Sequence, residues 1–260
     1  MGKIVLKVLE TFKLGRLMIS VKNISFAYRE KLIIDDISID LSSDSIGILG
    51  PNGSGKTTLL KIISGLLKSN RGEIFIDNNN ILNFSPRELA KIFAIVSQEY
   101  EPTYGFSVEE IIEMGRYPYL SFWGFQGKKD KKIIHQTIEL LNLETLRKNK
   151  TEDLSSGEKQ KVRFARALVQ QPKYLLLDEP TSNLDLSNKL LVTQVLSKIK
   201  EIGAKIIITS HDIDFIRYNT TQSVMLSFGS IIYSGLSTKI INKKNIKQLF
   251  KLSSLPDWVI

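Results

Sequence analysis

The clearest chemical pattern in the chain is a glycine-rich run that ends in a lysine and two threonines. It fits G-x-x-x-x-G-K-[ST], and its residues are Gly50, Pro51, Asn52, Gly53, Ser54, Gly55, Lys56 and Thr57, followed by Thr58. Glycines let the backbone curl so that successive N–H groups face phosphate oxygens. Lys56 can then reach the β- and γ-phosphates of a nucleotide, and the Thr57 hydroxyl can ligate Mg²⁺. The apolar run before the loop and the helical pattern after it favour this interpretation over an ordinary glycine-rich turn.

Two carboxylates follow an apolar run further along the chain. Asp178 and Glu179 come directly after Tyr174–Leu177, which predicts a buried strand. Open parallel sheets bind their ligands at the carboxyl ends of their strands. Asp178 is therefore a candidate for Mg²⁺ coordination, and Glu179 is a candidate general base for a water that attacks a phosphate. An Asp-Glu pair alone fits a helix N-cap equally well, but together with the glycine-rich loop it favours phosphate chemistry.

A third pattern is the run Leu154-Ser155-Ser156-Gly157-Glu158, at the start of a helical pattern over Glu158–Val169. The Ser155 hydroxyl, the Gly157 amide and a helix N-terminus together make a good receptor for a γ-phosphate. Taken alone, a helix capped by serine is the simpler explanation. The run closely resembles the signature motif of ATP-binding cassette (ABC) ATPases, and this resemblance favours the phosphate receptor.

Four further residues resemble functional positions of the same family and occur in its order: Tyr28, Gln98, Asp185 and His211. The resemblance implies that Gln98 and His211 act in catalysis, and that Gln98 also contributes to the Mg²⁺ site. It implies that Asp185 lies in a loop at the nucleotide and that Tyr28 stacks on adenine. An aromatic residue that ends a strand, however, commonly belongs to the core.

The resemblance covers the chain from about Met18 to Leu236 and implies ATP and Mg²⁺ as cofactors. It also implies a head-to-tail pair of ATPase subunits, in which Ser155 and Gly157 of one subunit close over the ATP on the other. Two residues depart from the family pattern: Ser156 stands where glycine is usual in the signature, and Asn183 where alanine is usual before Asp185. Ser156 adds a side chain beside the phosphate site.

Short apolar runs alternate with helical patterns along most of the chain, which is typical of an α/β fold with a mainly parallel sheet. The expected strands are Ser45–Leu49, Lys91–Val96, Tyr174–Leu177 and Lys205–Thr209, and the expected helices are Lys56–Leu67, Glu158–Val169 and Ser187–Lys200. Three segments alternate like antiparallel strands, the last as a hairpin: Ile19–Tyr28, Ile33–Leu41 and Val224–Tyr233. We therefore predict a P-loop NTPase core with a mainly parallel sheet and an N-terminal antiparallel β portion.

An α-helical subdomain is expected within this core at about 100–170, because residues 100–153 contain few strand-like runs. Val108–Met114 and Lys131–Leu141 have helical patterns there. Residues 18–260 are then a single ABC ATPase domain. Residues 1–17 form an N-terminal appendage, which fits a short amphipathic helix and a wrongly assigned start equally well.

The composition limits the classes of protein. With 260 residues, 42% hydrophobic and 24% charged, the chain excludes disordered, collagen-like and disulfide-stapled proteins. The absence of cysteine excludes disulfides and thiolate metal sites. A net charge of +9 predicts an anionic partner: nucleic acid, a nucleotide or the cytoplasmic face of a membrane. A chain without cysteine needs no oxidising compartment, which favours the cytoplasm. No stretch has the pattern of a membrane span or a signal peptide.

Among ABC proteins, a separate ATPase subunit of an importer fits best, because the chain has one cassette and neither membrane spans nor a long coiled-coil insertion. The run Met114-Gly115-Arg116-Tyr117-Pro118-Tyr119 resembles the subfamily that imports iron–siderophore complexes, haem and cobalamin. That resemblance implies a peripheral protein on the cytoplasmic face, two integral membrane permease subunits, an extracytoplasmic substrate-binding protein, and no nucleic acid. The alternatives are an importer for another cargo and a soluble ABC ATPase that acts on nucleic acid or another protein assembly.

Aromatic residues crowd the same stretch: Tyr117, Tyr119, Phe122 and Trp123. Exposed aromatic residues are favoured at protein–protein interfaces, so we expect the exposed members of this group to contact a membrane subunit. The competing hypothesis is that these rings fill the small core of the helical subdomain.

Overall fold

A computed structural model describes residues 18–97, 105–120, 125–182, 184–201, 203–254 and 256. These residues form two compact units. The sheet unit contains the described residues of 16–89, 176–180 and 205–260, and the helical unit contains those of 90–175 and 181–204. The glycine-rich loop therefore belongs to the sheet unit, and the signature run belongs to the helical unit.

The strands are β1 (Ile19–Tyr28), β2 (Lys31–Leu41), β3 (Ser45–Leu49), β4 (Arg71–Ile76), β5 (Asn79–Asn80), β6 (Phe93–Val96), β7 (Tyr174–Asp178), β8 (Lys205–Ser210), β9 (Gln222–Ser227) and β10 (Ser230–Leu236). In the sheet unit, an antiparallel sheet has the order β2-β1-β4-β5. A second sheet has the order β10-β9-β3-β8-β7, in which β3 pairs in parallel with β8 and β9. In the helical unit, β6 neighbours the start of β7. The predicted fold class is confirmed.

Burial explains why the central strands are short and apolar. Every residue of β3, β7 and β8 is buried, as expected of strands covered on both faces. Along β1, buried residues such as Ile19 and Val21 alternate with more exposed ones, as in a sheet with one solvated face. The polar residues at the ends of β3, β7 and β8 are thus attached to a closely packed core.

The helices are α1 (Lys56–Ile63), α2 (Pro86–Ile92), α3 (Val108–Glu113), α4 (Lys128–Leu140), α5 (Ser156–Val169), α6 (Leu186–Glu201), α7 (Ile213–Asn219), α8 (Ser237–Ile240) and α9 (Lys243–Phe250). Short 3₁₀ segments lie at Ile81–Asn83, Met114–Tyr119, Glu144–Leu146 and Thr151–Asp153. Helices α3, α4 and α5 fall in the range where we expect an inserted subdomain, and that division stays a prediction.

Several boundaries differ from those expected, and the structure gives a reason for two of them. Lys91 and Ile92 end helix α2, so the strand predicted from Lys91 begins only at Phe93. The helix predicted to reach Leu67 ends at Ile63, because Gly65 has a φ of +76° and the N–H groups that follow it bond back to Lys61 O. Within the described part of the chain, no helix is both long enough and apolar enough to cross a membrane.

Candidate functional site

The glycine-rich loop connects the end of β3 to the start of α1. Gly55 is the N-cap of α1 and has a φ of +102°, a conformation that side chains with a Cβ rarely adopt. A Cβ on Gly50 would lie 2.3 Å from Leu226 O, so β9 packs directly against the start of the loop. The backbone needs glycine at both positions, as the spacing of the pattern requires.

Lys56 lies inside the curve of this loop and is buried. Its Nζ donates to Gly50 O at 2.8 Å and to Pro51 O at 3.2 Å. The neighbouring Ser54 hydroxyl is also buried and has no hydrogen-bond partner among the described residues. A cationic group and an unpaired hydroxyl in one loop fit a phosphate group, which accepts hydrogen bonds from both.

Asp178, at the end of β7, is held by two hydroxyls. Thr57 Oγ1 donates to Asp178 Oδ1 at 2.9 Å, and Thr209 Oγ1 donates to the same oxygen at 2.6 Å. Mg²⁺ is usually bound through one or two protein oxygens together with waters and substrate phosphates. Thr57 and Asp178 fit that kind of site, whereas the described residues contain no group of three His, Cys, Asp or Glu side chains that could hold a metal alone.

Glu179 lies between two basic side chains. Its Oε1 is 3.1 Å from Lys56 Nζ, and its Oε2 is 2.9 Å from His211 Nδ1. Its backbone has a φ of +48°, which costs free energy for a residue with a side chain, and Glu179 N–H donates to both Thr209 O and Thr209 Oγ1. A carboxylate that lies between two basic groups, on a residue with a strained backbone, is typical of a catalytic site.

His211 follows β8 and its side chain is about half exposed. His211 could in principle cap the next helix instead of acting in catalysis, but the geometry disagrees with that role. Asp212 is the N-cap of α7, and its side chain accepts a hydrogen bond from Phe215 N–H at 3.1 Å. His211 is thereby free to contact Glu179.

Tyr28 ends β1 and is 47% exposed. Its ring packs edge to face against Phe26, with centroids 4.8 Å apart. About half of the Tyr28 side chain is therefore exposed, and stacking on adenine stays a prediction. Thr58 is buried in α1, while Gln98 and Asn183 lie outside the described residues.

In the helical unit, Ser155 and Gly157 begin helix α5. The Ser155 hydroxyl accepts a hydrogen bond from Glu158 N–H at 3.3 Å, and Glu158 Oε2 accepts one from Ser155 N–H at 2.8 Å. Glu158 Oε2 also accepts a hydrogen bond from the Ser155 hydroxyl at 2.7 Å, and this bond, together with the one from Ser155 N–H, lowers the pKa of Glu158. A Cβ on Gly157 would lie 2.2 Å from Asn188 Oδ1. The Ser155 hydroxyl thus caps the helix, and its predicted contact with a phosphate is a separate hypothesis.

Asp185 precedes α6 and caps it. Its Oδ1 accepts hydrogen bonds from Asn188 N–H and from the Ser187 hydroxyl, each at 2.8 Å. The bond from Asn188 N–H is the main reason why the pKa of Asp185 is lowered. Asp185 therefore has a local structural role besides the predicted role at the nucleotide.

The aromatic stretch divides into exposed and packed residues. Tyr117 is 63% exposed, whereas Tyr119 is half-buried against the Arg116 guanidinium. Burial raises the pKa of Tyr119. Phe122 and Trp123 lie outside the described residues. Of the two aromatic residues that the structure describes here, Tyr117 alone is exposed enough to contact a partner protein.

The sequence did not predict the roles of two buried polar residues, Thr209 in the sheet unit and Arg116 in the helical unit. Thr209 is a polar residue at the end of an apolar strand, beside His211, and that position is a usable signal. Arg116 lies in a run that we interpreted through its aromatic residues, and nothing local in the sequence indicates that its charge is buried.

Comparison with known proteins gives consistent results. Residues 34–182 match the ABC transporter family. An uncharacterized ABC transporter ATP-binding protein of Methanocaldococcus jannaschii is 40% identical over 236 residues, which is 90% of this chain and 91% of that protein. The iron(3+)-hydroxamate import ATP-binding protein of Bacillus subtilis is 31% identical over 91% of this chain and 88% of its own length.

A solved structure is similar over nearly the same length. It is assigned to the metal-chelate type of ABC transporter in an inward-facing conformation. The TM-score is 0.79 at 26% sequence identity, and the match covers 91% of this chain and 90% of that one. The likeness therefore extends over both the sheet unit and the helical unit.

Proposed function

Because the chain belongs to the ABC transporter family, we propose that it hydrolyses ATP to drive an importer for an iron–siderophore, haem, cobalamin or related metal chelate. One observation carries the catalytic part of this proposal: Glu179 lies between Lys56 Nζ and His211 Nδ1 at the carboxyl ends of neighbouring strands. This places a carboxylate next to the lysine of the phosphate-binding loop.

The residues of the sheet unit have distinct roles in this proposal. Gly50, Pro51, Asn52, Gly53, Ser54, Gly55 and Thr58 surround the phosphates, and Lys56 neutralises the β- and γ-phosphates. Thr57, Asp178 and Gln98 would hold Mg²⁺, which supplies further neutralisation of phosphate charge when it is bound.

Glu179 is the proposed general base. Its carboxylate takes the proton of the attacking water, and His211, within hydrogen-bond distance of that carboxylate, orients it and donates toward the γ-phosphate. Tyr28 stacks on the adenine ring. Each of these roles needs a group that the sheet unit holds at a strand end.

The second half of each ATP site comes from another copy of the chain. We place Ser155 and Gly157 of the partner subunit, with Asp185, over the γ-phosphate, since a helix N-terminus attracts an anion. ATP binding then closes the pair, and hydrolysis followed by product release reopens it.

Import of a metal chelate is supported by what the relatives are named for: iron(3+)-hydroxamate import in one case and the metal-chelate type in another. In this proposal the chain lies at the cytoplasmic face of the membrane, bound to two permease subunits that receive cargo from an extracytoplasmic binding protein. Purification from the native membrane, followed by identification of the co-purifying subunits, tests this arrangement. Co-purification with nucleic acid and no membrane protein would contradict it.

Glu179→Gln tests the catalytic proposal. The amide cannot accept the proton of the water, so we expect hydrolysis to fall by about 10²- to 10⁴-fold while Mg-ATP still binds. The variant should accumulate as a closed dimer when ATP is added, measured by size-exclusion chromatography with and without ATP. Lys56→Ala is the control, because it loses the charge on the phosphates and should neither hydrolyse ATP nor form the dimer. Normal turnover by Glu179→Gln would contradict the proposal.

A further inference from the structure

Arg116 carries a buried charge in the helical unit, and its guanidinium has several partners. The residue is 2% exposed. Its Nε and Nη2 lie 2.9 and 2.8 Å from Asp130 Oδ1, and its Nη1 donates to Val169 O at 2.5 Å and to Gln171 Oε1 at 3.2 Å. The guanidinium also lies 3.9 Å from the centroid of the Tyr119 ring. A planar group held by bonds in several directions has little freedom to move.

These bonds join three elements. Arg116 itself lies in the 3₁₀ segment Met114–Tyr119. Asp130 lies in the first turn of α4, where its second oxygen accepts a hydrogen bond from Gly127 N–H at 2.9 Å. Val169 is the last residue of α5, and a carbonyl at a helix C-terminus lacks a partner within its helix. A cationic donor is favourable there, at the negative end of the helix dipole.

The backbone of the same 3₁₀ segment packs directly on α5. A Cβ on Gly115 would lie 2.1 Å from Arg166 O and 2.5 Å from Val169 Cγ2. The last turn of α5 is therefore held by a close backbone contact and by the Arg116 side chain together.

The other end of α5 is the signature run. The helix has 14 residues, so its two ends lie about 20 Å apart. Arg116 is thus too far from Ser155 and Gly157 to touch a nucleotide bound there. A short helix with regular hydrogen bonds moves as one body, so a shift of its C-terminal turn also displaces its N-terminus.

We propose that Arg116 is a positioning residue, which fixes α5 to the segment Met114–Tyr119 and so determines where Ser155 and Gly157 meet ATP on the second subunit. Tyr117 is exposed on the same segment. A permease subunit that contacts Tyr117 and shifts this segment would therefore also shift the signature run, through the bonds of Arg116. This inference rests on the ATP-dependent dimer proposed above. Substitutions along such a connection typically change coupling by a factor of about 2 to 30.

The test uses Glu179→Gln as the parent, because its ATP-bound dimer persists. Arg116→Lys keeps the charge but loses the planar fork, so it cannot hold Asp130 and Val169 O together. We expect the dissociation constant of the ATP-bound dimer, measured by sedimentation velocity, to rise about tenfold. The affinity of the monomer for ADP, measured by calorimetry, should not change. Arg147→Lys is the matched control, because Arg147 pairs with Glu109 at the start of α3 and the dimer should be unaffected.

A second variant separates positioning from stability. Arg116→Met with Asp130→Asn removes both buried charges, so we expect its melting temperature to lie close to that of the parent. Its dimer should still be weakened about tenfold, since the bond to Val169 O is lost. A dimer constant within twofold of the parent in either folded variant overturns the proposal. Unfolding of both variants overturns it too, since Arg116 then acts only on stability. A parent that forms no dimer with ATP contradicts the proposed function instead.

Discussion

Thr209→Val tests whether one buried hydroxyl holds both the Asp178 carboxylate and the backbone of Glu179. Thr209 is fully buried in β8, where its Oγ1 donates to Asp178 Oδ1 at 2.6 Å and accepts a hydrogen bond from Glu179 N–H at 3.2 Å. Valine has nearly the same shape, so the substitution removes the hydroxyl and preserves the packing. The change in stability therefore reports mainly on the two hydrogen bonds.

The magnitude follows from what stays behind. A hydrogen bond to a charged group contributes about 1.5–3 kcal/mol. Asp178 keeps its bond from Thr57 Oγ1, and Glu179 N–H keeps its bond to Thr209 O. We therefore expect the free energy of unfolding to fall by about 2 kcal/mol, toward the lower end of that range. With Asp178→Asn already present, the lost bond is neutral, and the same substitution should cost about 1 kcal/mol.

Urea denaturation of the four proteins in this double-mutant cycle measures the difference. Thr209→Ser is the control, because it keeps the hydroxyl and loses a methyl group, at a cost of about 1 kcal/mol in both backgrounds. An equal cost of Thr209→Val in the presence and absence of the Asp178 charge would refute the reasoning. So would a smaller cost for valine than for serine, since packing would then outweigh the hydrogen bonds.

Three further predictions concern the helical unit. Ser155→Ala and Ser107→Ala each remove a helix cap, so each should lower the free energy of unfolding by about 1 kcal/mol at pH 7. Made in the Glu179→Gln parent, only Ser155→Ala should also weaken the ATP-bound dimer. Because the pKa of Glu158 is lowered from 4.5, the stability from its bonds with Ser155 is complete above that pH and is lost as the pH falls through the lowered pKa. Urea titrations should thus show the difference in unfolding free energy between Ser155→Ala and its parent becoming smaller as the pH falls through that lowered pKa. Tyr117→Ser should leave ATP binding and hydrolysis by the isolated protein intact. Assembly with the permease subunits and uptake of the cargo should both decrease. Unchanged uptake would exclude Tyr117 from the docking surface.

The sequence predicted the parts of the site whose geometry is local. The loop from Gly50 to Thr57 needs glycine at fixed positions, and Asp178 and Glu179 follow a strand whose burial is readable from its apolar run. His211 was placed by resemblance at the end of a strand, and the structure brings it to the carboxylate of Glu179. Short-range pattern is sufficient for such residues, because each strand end is attached to the same sheet.

The residues that the sequence did not reveal depend on contacts between distant segments. Thr209 and Asp178 are 31 residues apart, and Arg116 bonds to a carbonyl 53 residues away. Tyr119 belonged to a group of aromatic residues whose exposed members the sequence did not distinguish. It packs on Arg116, which pairs with Asp130 in another helix. A buried ion pair of this kind has no period and no local spacing, so only the tertiary structure reveals it.

The signature run also shows how far a local motif can carry a functional assignment. Three serine–glutamate pairs of the described chain form the same cap: Ser85–Glu88, Ser107–Glu110 and Ser155–Glu158. In each, the glutamate N–H donates to the serine hydroxyl at 3.3 Å. The cap at Ser155 is therefore not evidence for phosphate binding. Gly157 distinguishes the third pair, since a charged side chain occupies that position in the other two. A Cβ at Gly157 would force the Asn188 side chain to move. The lack of a side chain at Gly157, with the positive end of the α5 dipole, carries the case for an anion at this helix.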